Sequence, residues 1–216
     1  MTSRREILRG IVAAFGLGLS TNARAANTGA TASVTRALVV GNNYAAGERR
    51  MRLENAQNDA RLVAAKLSSL PNTEADLLLD GTEEQFNQAL SGLVSRLTQH
   101  DVAIFYYSGH AIQLGGQNYI LLGDAETLVN LTGVIQKLRH AAHTTIAFLD
   151  ACRTNPFVHD GEATDSRALT RVDLEKTRDL VKVADLARSG GVGLARMDLR
   201  GTGVLVVFST DPGNVA

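Results

Sequence analysis

The sequence has 216 residues, of which 44% are hydrophobic, enough for one sizeable core and short for two. Its 22 basic and 22 acidic residues cancel. Because the charges balance, neither a nucleic acid nor a membrane surface is an expected partner of the mature protein. Any substrate must be recognised by local features.

The N-terminus is typical of an export signal. A charged stretch over residues 3–9 precedes an apolar run over residues 10–19, and small residues stand at positions 23 and 25. The apolar run is shorter than the roughly 20 residues of a membrane-spanning helix, and the paired arginines before it resemble a twin-arginine signal. We therefore predict a signal peptide over residues 1–25 and an exported protein, periplasmic or secreted. The alternative is a charged helix that stays in place.

After a polar linker over residues 26–35, apolar runs alternate with amphipathic stretches, which is typical of an α/β sheet. The runs predict strands over residues 37–40, 75–79, 101–107, 111–114, 118–122, 144–149 and 203–208. Helical spacing predicts helices over residues 58–70, 83–97 and 128–142, the second of them with Thr82 as N-cap. Between residues 153 and 200 the chain is rich in charge, and residues 169–187 again have helical spacing.

The single cysteine, Cys152, has no partner for a disulfide within the chain. A lone cysteine is most often a small buried hydrophobe. However, Cys152 follows one predicted buried strand and His110 follows another, and open α/β sheets bind ligands at the carboxyl ends of their strands. A nearby imidazole forms the thiolate of a cysteine nucleophile and protonates the leaving amine. The alternative for His110 is a polar residue that only caps its strand.

Three segments carry a resemblance to a known family: FYYSGHA over residues 105–111, NYILLGDA over residues 118–125 and AFLDACR over residues 147–153. They resemble the caspases and, more closely, the metacaspases and orthocaspases of bacteria. The resemblance implies a caspase-like three-layer α-β-α sandwich with a mostly parallel central sheet over residues 36–216. It also implies that residues 153–200 form a processing linker. In the family a further strand and helix follow the region of residues 210–214, so we expect the C-terminal part of the fold to be truncated.

The resemblance assigns the chemistry of a cysteine endopeptidase. It makes Cys152 the nucleophile that forms a thioester and His110 the general acid and base. The backbone amides of Cys152 and Ala111 would form the oxyanion hole, although the family often has glycine where Ala111 stands. Alternatives are a catalytically silent binding or scaffold module with the same fold, and an arginine- or legumain-type peptidase, which matches Asp-Ala-Cys less well.

Two aspartates predict the specificity. Asp150 lies two residues before Cys152 and so on the same side of a strand, and in metacaspases the matching aspartate lines the primary pocket with one that corresponds to Asp59. The expected substrate is a protein or peptide that is cleaved after Arg or Lys. The alternatives are a helix-dipole role for Asp59 and a strand-end hydrogen bond for Asp150. Basic residues between 153 and 200 are candidate self-cleavage sites: Arg167, Arg171, Lys176, Arg178, Lys182 and Arg188.

No cofactor is expected. The histidines at positions 100, 140, 143 and 159 show no metal-ligand spacing with carboxylates. Some metacaspases use calcium, and Asp160, Glu162 and Asp165 form a small acidic patch, but their spacing matches no calcium loop. The sequence leaves calcium dependence open.

Overall fold

The structure is a computed structural model that describes residues 33–45, 49–114, 116–152, 180–182 and 203–209. For Arg50, Cys152 and residues 180–182 it describes the backbone alone. The strands are β1 (Thr35–Gly41), β2 (Thr73–Leu79), β3 (Val102–Leu114), β4 (Gln117–Leu121), β5 (Thr127–Asn130), β6 (Thr144–Cys152), β7 (Leu180–Lys182) and β8 (Val204–Phe208). The helices are a 3-10 turn at Arg49–Met51 and α1 (Ala56–Ser68), α2 (Glu83–Arg96) and α3 (Leu131–Ala141).

The strands form one mixed sheet. Its parallel part has the order β2-β1-β3-β6-β8, and β4, β5 and β7 extend it by antiparallel pairing from the distal half of β3. The longest strand, β3, belongs to both parts, because it pairs with β6 up to His110 and with β4 from Ala111 onwards. The carboxyl end of the central parallel strands therefore lies where β3 changes partners.

Helices cover both faces of the sheet, since its parallel strands are apolar on both sides. On one face α1 packs through Ala60, Val63 and Leu67 against a cluster that includes Ile104 and Phe148. On the other face, a larger cluster joins α2 and α3 to the alternate residues of the same strands, with Phe86, Leu93, Ile135 and Leu138 among its fully buried members. This confirms the predicted α-β-α sandwich with a mostly parallel sheet.

Local sequence explains where the helices begin. Thr82 caps α2 in a capping box, in which its hydroxyl accepts from the amide of Gln85 and the Gln85 side chain accepts from the amide of Thr82. The side chain of Asn130 caps α3 by accepting from the amide of Gly133. The N-cap predicted at Thr82 is confirmed.

Several predicted bounds were wrong. The predicted strand over residues 101–107 does not end before His110 but continues through it to Leu114. Residues 127–130, most of which were assigned to a helix, form β5 because they pair with β4 and β7. Of the predicted helical stretch over residues 169–187, the described residues 180–182 form a strand. β1 begins at Thr35, the last residue of the predicted linker.

The opposite end of the sheet is fixed by the buried carboxylate of Asp101. It accepts hydrogen bonds from the amides of Val34 and Thr98, each at 2.9 Å, and pairs with the Arg36 guanidinium at 2.8 Å. Burial raises the pKa of the Asp101 carboxyl, but these hydrogen bonds and the charge of Arg36 outweigh it and hold the pKa below its usual value. The side chain ties β1 to the start of β3.

Within the part of the chain that the structure describes, no helix has the length and apolar character needed to cross a membrane.

Candidate active site

The register of two neighbouring strands brings the two predicted reactive residues together. β3 and β6 pair in parallel, and the register places His110 directly opposite Cys152, with Ser108 opposite Asp150 two residues earlier. Paired strands are about 4.8 Å apart. The backbones of His110 and Cys152 are therefore neighbours, as predicted from the strand ends.

The His110 ring is buried, with 7% of the residue exposed. Its Nε2 lies 2.9 Å from the carbonyl oxygen of Met51. Because a carbonyl only accepts hydrogen bonds, Nε2 carries the proton in the neutral ring, and Nδ1 is left with a lone pair. Nδ1 is buried and has no hydrogen-bond partner among the described residues. The ring thus offers Nδ1 as a base.

The environment of His110 favours its neutral form. Burial lowers the pKa of the imidazole, and the hydrogen bond to the Met51 carbonyl offsets only part of this effect, so the pKa lies below its usual value. The ring of Tyr44 stacks on His110 with centroids 4.8 Å apart and planes at 25°. A neutral imidazole held in one orientation is what a general base needs at neutral pH.

Two tyrosine hydroxyls hold the backbone of His110. The amide of His110 donates to the hydroxyl of Tyr44 at 2.7 Å, and the hydroxyl of Tyr107 donates to the carbonyl of His110 at 2.6 Å. Both tyrosines are fully buried. The hydroxyls lie 2.9 Å apart and both contact the carbonyl oxygen of Leu121 in β4.

A second group of polar side chains lies on the α1 face of the sheet. The hydroxyl of Tyr106 donates to the carboxylate of Asp150 at 3.4 Å. Burial raises the pKa of Tyr106, and the negative charges of Asp150 and Asp59 raise it further. Asp59 stands in the first turn of α1. The charges of the two aspartates predicted to act together thus both act on the Tyr106 hydroxyl.

The predicted site residues fall into two neighbouring groups. His110, Ala111 and Cys152 lie where β3 passes from the parallel to the antiparallel part of the sheet, while Asp150 bonds to Tyr106 and the charge of Asp59 acts on the same hydroxyl. Ala111 is buried, and its strand conformation suits an L-residue as well as glycine.

Sequence reasoning missed Tyr44, Tyr106, Tyr107 and the carbonyl of Met51. A signal existed for Tyr106 and Tyr107, because tyrosines in a strand covered on both faces must find partners for their hydroxyls. No sequence signal marks the carbonyl of Met51, because every residue has a backbone carbonyl.

The described residues contain no group of three or more His, Cys, Asp or Glu side chains that could hold a metal ion. Asp160, Glu162 and Asp165, on which the question of calcium was raised, lie outside the described residues. So do the candidate self-cleavage sites, except Lys182, whose backbone is paired with Thr127 in the sheet.

The fold and the site define an α/β protein with a histidine and a cysteine side by side at the carboxyl end of its parallel strands. The family model Peptidase_C14, described as the caspase domain, matches residues 34–216. The chain therefore belongs to the caspase-domain family of peptidases.

Among solved structures, the chain is similar to protein GSU0716 from Geobacter sulfurreducens, with a TM-score of 0.45 and 20% sequence identity. The match covers 55% of this chain and 50% of that protein, so the chain spans only half the length of this relative. No curated protein matches the chain.

Proposed function

We propose that this protein is a cysteine endopeptidase that cleaves protein or peptide substrates after Arg or Lys, with Cys152 as nucleophile and His110 as general acid and base. The single observation that carries the proposal is the β3–β6 register, which sets His110 opposite Cys152. Membership of a peptidase family supports the reaction class. The hydrogen bond between Asp150 and Tyr106, together with the charge of Asp59 on the same hydroxyl, supports the specificity.

The proton chemistry follows from the tautomer of His110. Nδ1 takes the proton of the Cys152 thiol, and the thiolate sulfur attacks the scissile carbonyl carbon. The carbon–nitrogen bond breaks, and the leaving amine takes the proton from Nδ1. Water, deprotonated by the same nitrogen, then attacks the thioester carbon, which releases the carboxylic acid and restores the thiol.

Negative charge develops on the carbonyl oxygen during both steps, and preorganised backbone N–H groups stabilise such charge. We assign this role to the amides of Ala111 and Cys152. Ala111 belongs to β3 and Cys152 to the adjacent strand β6. Strand pairing holds the backbones of both in place. An oxyanion hole built on strands needs no rearrangement when the substrate binds.

Specificity for a basic side chain follows from charge. Asp150 at the end of β6 and Asp59 in the first turn of α1 bring two carboxylates to the α1 face of the sheet. A guanidinium or ammonium group of the substrate would neutralise them. A substrate aspartate would be repelled.

The test is hydrolysis of matched fluorogenic peptides that end in Arg, Lys or Asp, with and without calcium. We expect cleavage after Arg and Lys that is lost in Cys152→Ala and His110→Gln. In Asp59→Asn and Asp150→Asn, kcat/KM for the Arg peptide should fall about 10-fold to 100-fold, because a buried charge pair is lost without a change of shape.

Each other outcome is informative. Cleavage only after Asp would keep the peptidase and contradict the roles of Asp59 and Asp150. Absence of cleavage by the folded protein, with or without calcium, would favour the catalytically silent binding module.

A further inference from the structure

The Tyr44 and Tyr107 hydroxyls, which we call the phenol pair, contact the two backbone polar atoms of His110. Tyr44 accepts from the His110 amide and Tyr107 donates to the His110 carbonyl. Backbone atoms inside a sheet normally bond to the neighbouring strand. At His110, where β3 changes from one pairing partner to another, two side chains bond to the backbone instead.

A count of protons shows how the pair is oriented. Each phenol has one proton, and burial raises the pKa of both, so both protons are retained. The Tyr107 hydroxyl contacts the carbonyl of His110 at 2.6 Å and that of Leu121 at 2.8 Å, and we assign its proton to the shorter contact. The Tyr44 proton is then directed to the carbonyl of Leu121 or to the oxygen of Tyr107, while the Tyr44 oxygen accepts from His110.

The surrounding chain is shaped to admit these hydroxyls. A Cβ atom on Gly109 would lie 2.5 Å from the Tyr107 hydroxyl and 2.7 Å from that of Tyr44, so only glycine leaves room for the pair. Tyr44 itself has a φ of 58°, which is costly for a bulky residue. The Asp80 carboxylate holds this conformation by accepting from the amides of Asn43 at 2.7 Å and Tyr44 at 2.9 Å.

The carbonyl of His110 and the amide of Ala111 belong to one planar peptide unit. A hydrogen bond from Tyr107 to the carbonyl therefore sets the direction of the Ala111 N–H, and it polarises the unit so that this N–H is a better donor. The Ala111 amide is one of the two oxyanion donors in the proposed function.

We propose that Tyr107 is a positioning residue for the oxyanion hole, which acts through the His110–Ala111 peptide, and that Tyr44 supports it from the other side of His110. This inference rests on the proposed peptidase function. It assigns to the hydroxyl of Tyr107 an effect on acyl transfer that is separate from the proton chemistry of the His110 ring.

The test compares two reactions of the same sulfur in the full chain. Peptide hydrolysis develops an oxyanion, whereas alkylation of Cys152 by iodoacetamide does not, and Cys152 is the only thiol. In Tyr107→Phe we expect kcat for the Arg peptide to fall about 10-fold to 100-fold, somewhat less than for deletion of an oxyanion donor. KM, the alkylation rate and its pH profile should each stay within about 2-fold of wild type, because thiolate formation is untouched.

The matched control is Tyr119→Phe, which removes the hydroxyl of a buried tyrosine in β4 that bonds to no described atom of His110. It should match wild type in both reactions. Equal kcat in Tyr107→Phe and Tyr119→Phe would overturn the inference. A parallel loss of hydrolysis and alkylation would also overturn it, since Tyr107 would then act on the ring or on the fold.

Thermal unfolding of each variant separates these outcomes from misfolding. If Tyr107→Phe does not fold, Tyr44→Phe tests the same pair, because it keeps the stacked ring and removes the acceptor of the His110 amide. It should show the same loss of kcat with unchanged alkylation, and wild-type kcat would overturn the inference. A wild-type chain that neither cleaves peptides nor alkylates rapidly would refute the proposed function itself.

Discussion

His110 is held at four points: Met51 at Nε2, Tyr44 at the ring face and the amide, and Tyr107 at the carbonyl. Each contact restricts one degree of freedom of the ring or the backbone. Burial excludes the water that would stabilise an imidazolium. The result is a base that stays neutral at neutral pH and needs little reorientation to accept a proton.

The lowered pKa of His110 has a measurable consequence. In Cys152→Ala, where no thiolate can pair with the ring, NMR titration should give His110 a pKa below the usual 6.5, and His110→Gln identifies its signal. As pH falls through 6.5, the unfolded state takes up the proton first, so the free energy of unfolding decreases until the folded-state pKa is reached. His110→Gln should weaken this decrease. A pKa above 6.5 would contradict the burial argument.

The sequence predicts the residues whose side-chain type suits the proposed chemistry. His110, Cys152, Asp59 and Asp150 were predicted from side-chain type, strand position and family resemblance. The Met51 carbonyl was not, because a backbone atom leaves no mark on the sequence. Tyr44 was not either, because its left-handed backbone depends on the distant carboxylate of Asp80.

At the scale of elements, the contact between β1 and α1 is unusually close. A Cβ atom on Gly41, the last residue of β1, would lie 2.5 Å from the Cβ of Ala60 and 2.7 Å from the carbonyl oxygen of Ala56. Small residues on both sides therefore bring α1 against the sheet. This approach also sets the position of Asp59, which lies beside Ala60 in the first turns of the helix.

Gly41→Ala should therefore destabilise the protein by about 2–3 kcal/mol, because the new methyl group meets backbone that cannot move aside. The matched control is Gly92→Ala in α2, where a Cβ atom would meet nothing within 4 Å. That change should stabilise the protein by up to about 1 kcal/mol, since alanine favours a helix interior. Urea unfolding of both variants measures the difference. Equal effects would contradict the close approach of β1 and α1.

Elements with strong periodicity were predicted, and those that depend on distant pairing were not. The apolar spacing of α2 and its N-cap Thr82 are local signals, and both were confirmed. β5 has only four residues, and its apolar positions continue into the helical pattern of α3. It is a strand because β4 and β7 lie on either side of it, which no local window of sequence reveals.

Across the whole molecule, the two ends of the parallel sheet have different roles. Asp101 and Arg36 tie β1 and β3 together at one end with a closed set of hydrogen bonds. At the other end, Nδ1 of His110 has no hydrogen-bond partner among the described residues, and the carboxylate of Asp150 accepts a hydrogen bond from Tyr106. Stability and proposed chemistry are thus separated along the strands.

Alternating apolar runs were enough to predict the α/β class, but strand order and register depend on the whole chain. The neighbouring positions of β3 and β6 require a crossover through α3, and the pairing of His110 with Cys152 requires a register that periodicity does not set. The position of both residues at the ends of buried strands predicted that they are neighbours, and the sheet places their backbones opposite each other.

The most direct test of the proposed dyad is covalent trapping, in which an arginyl chloromethyl ketone is added to the protein and the product is analysed by mass spectrometry. We predict one adduct, on the peptide that contains Cys152, and a slower reaction with the aspartyl analogue. The rate should fall about 100-fold or more in His110→Gln, within the range of general acid–base effects. If folded wild-type protein and His110→Gln reacted at the same slow rate with both reagents, the cysteine peptidase proposed here would be contradicted.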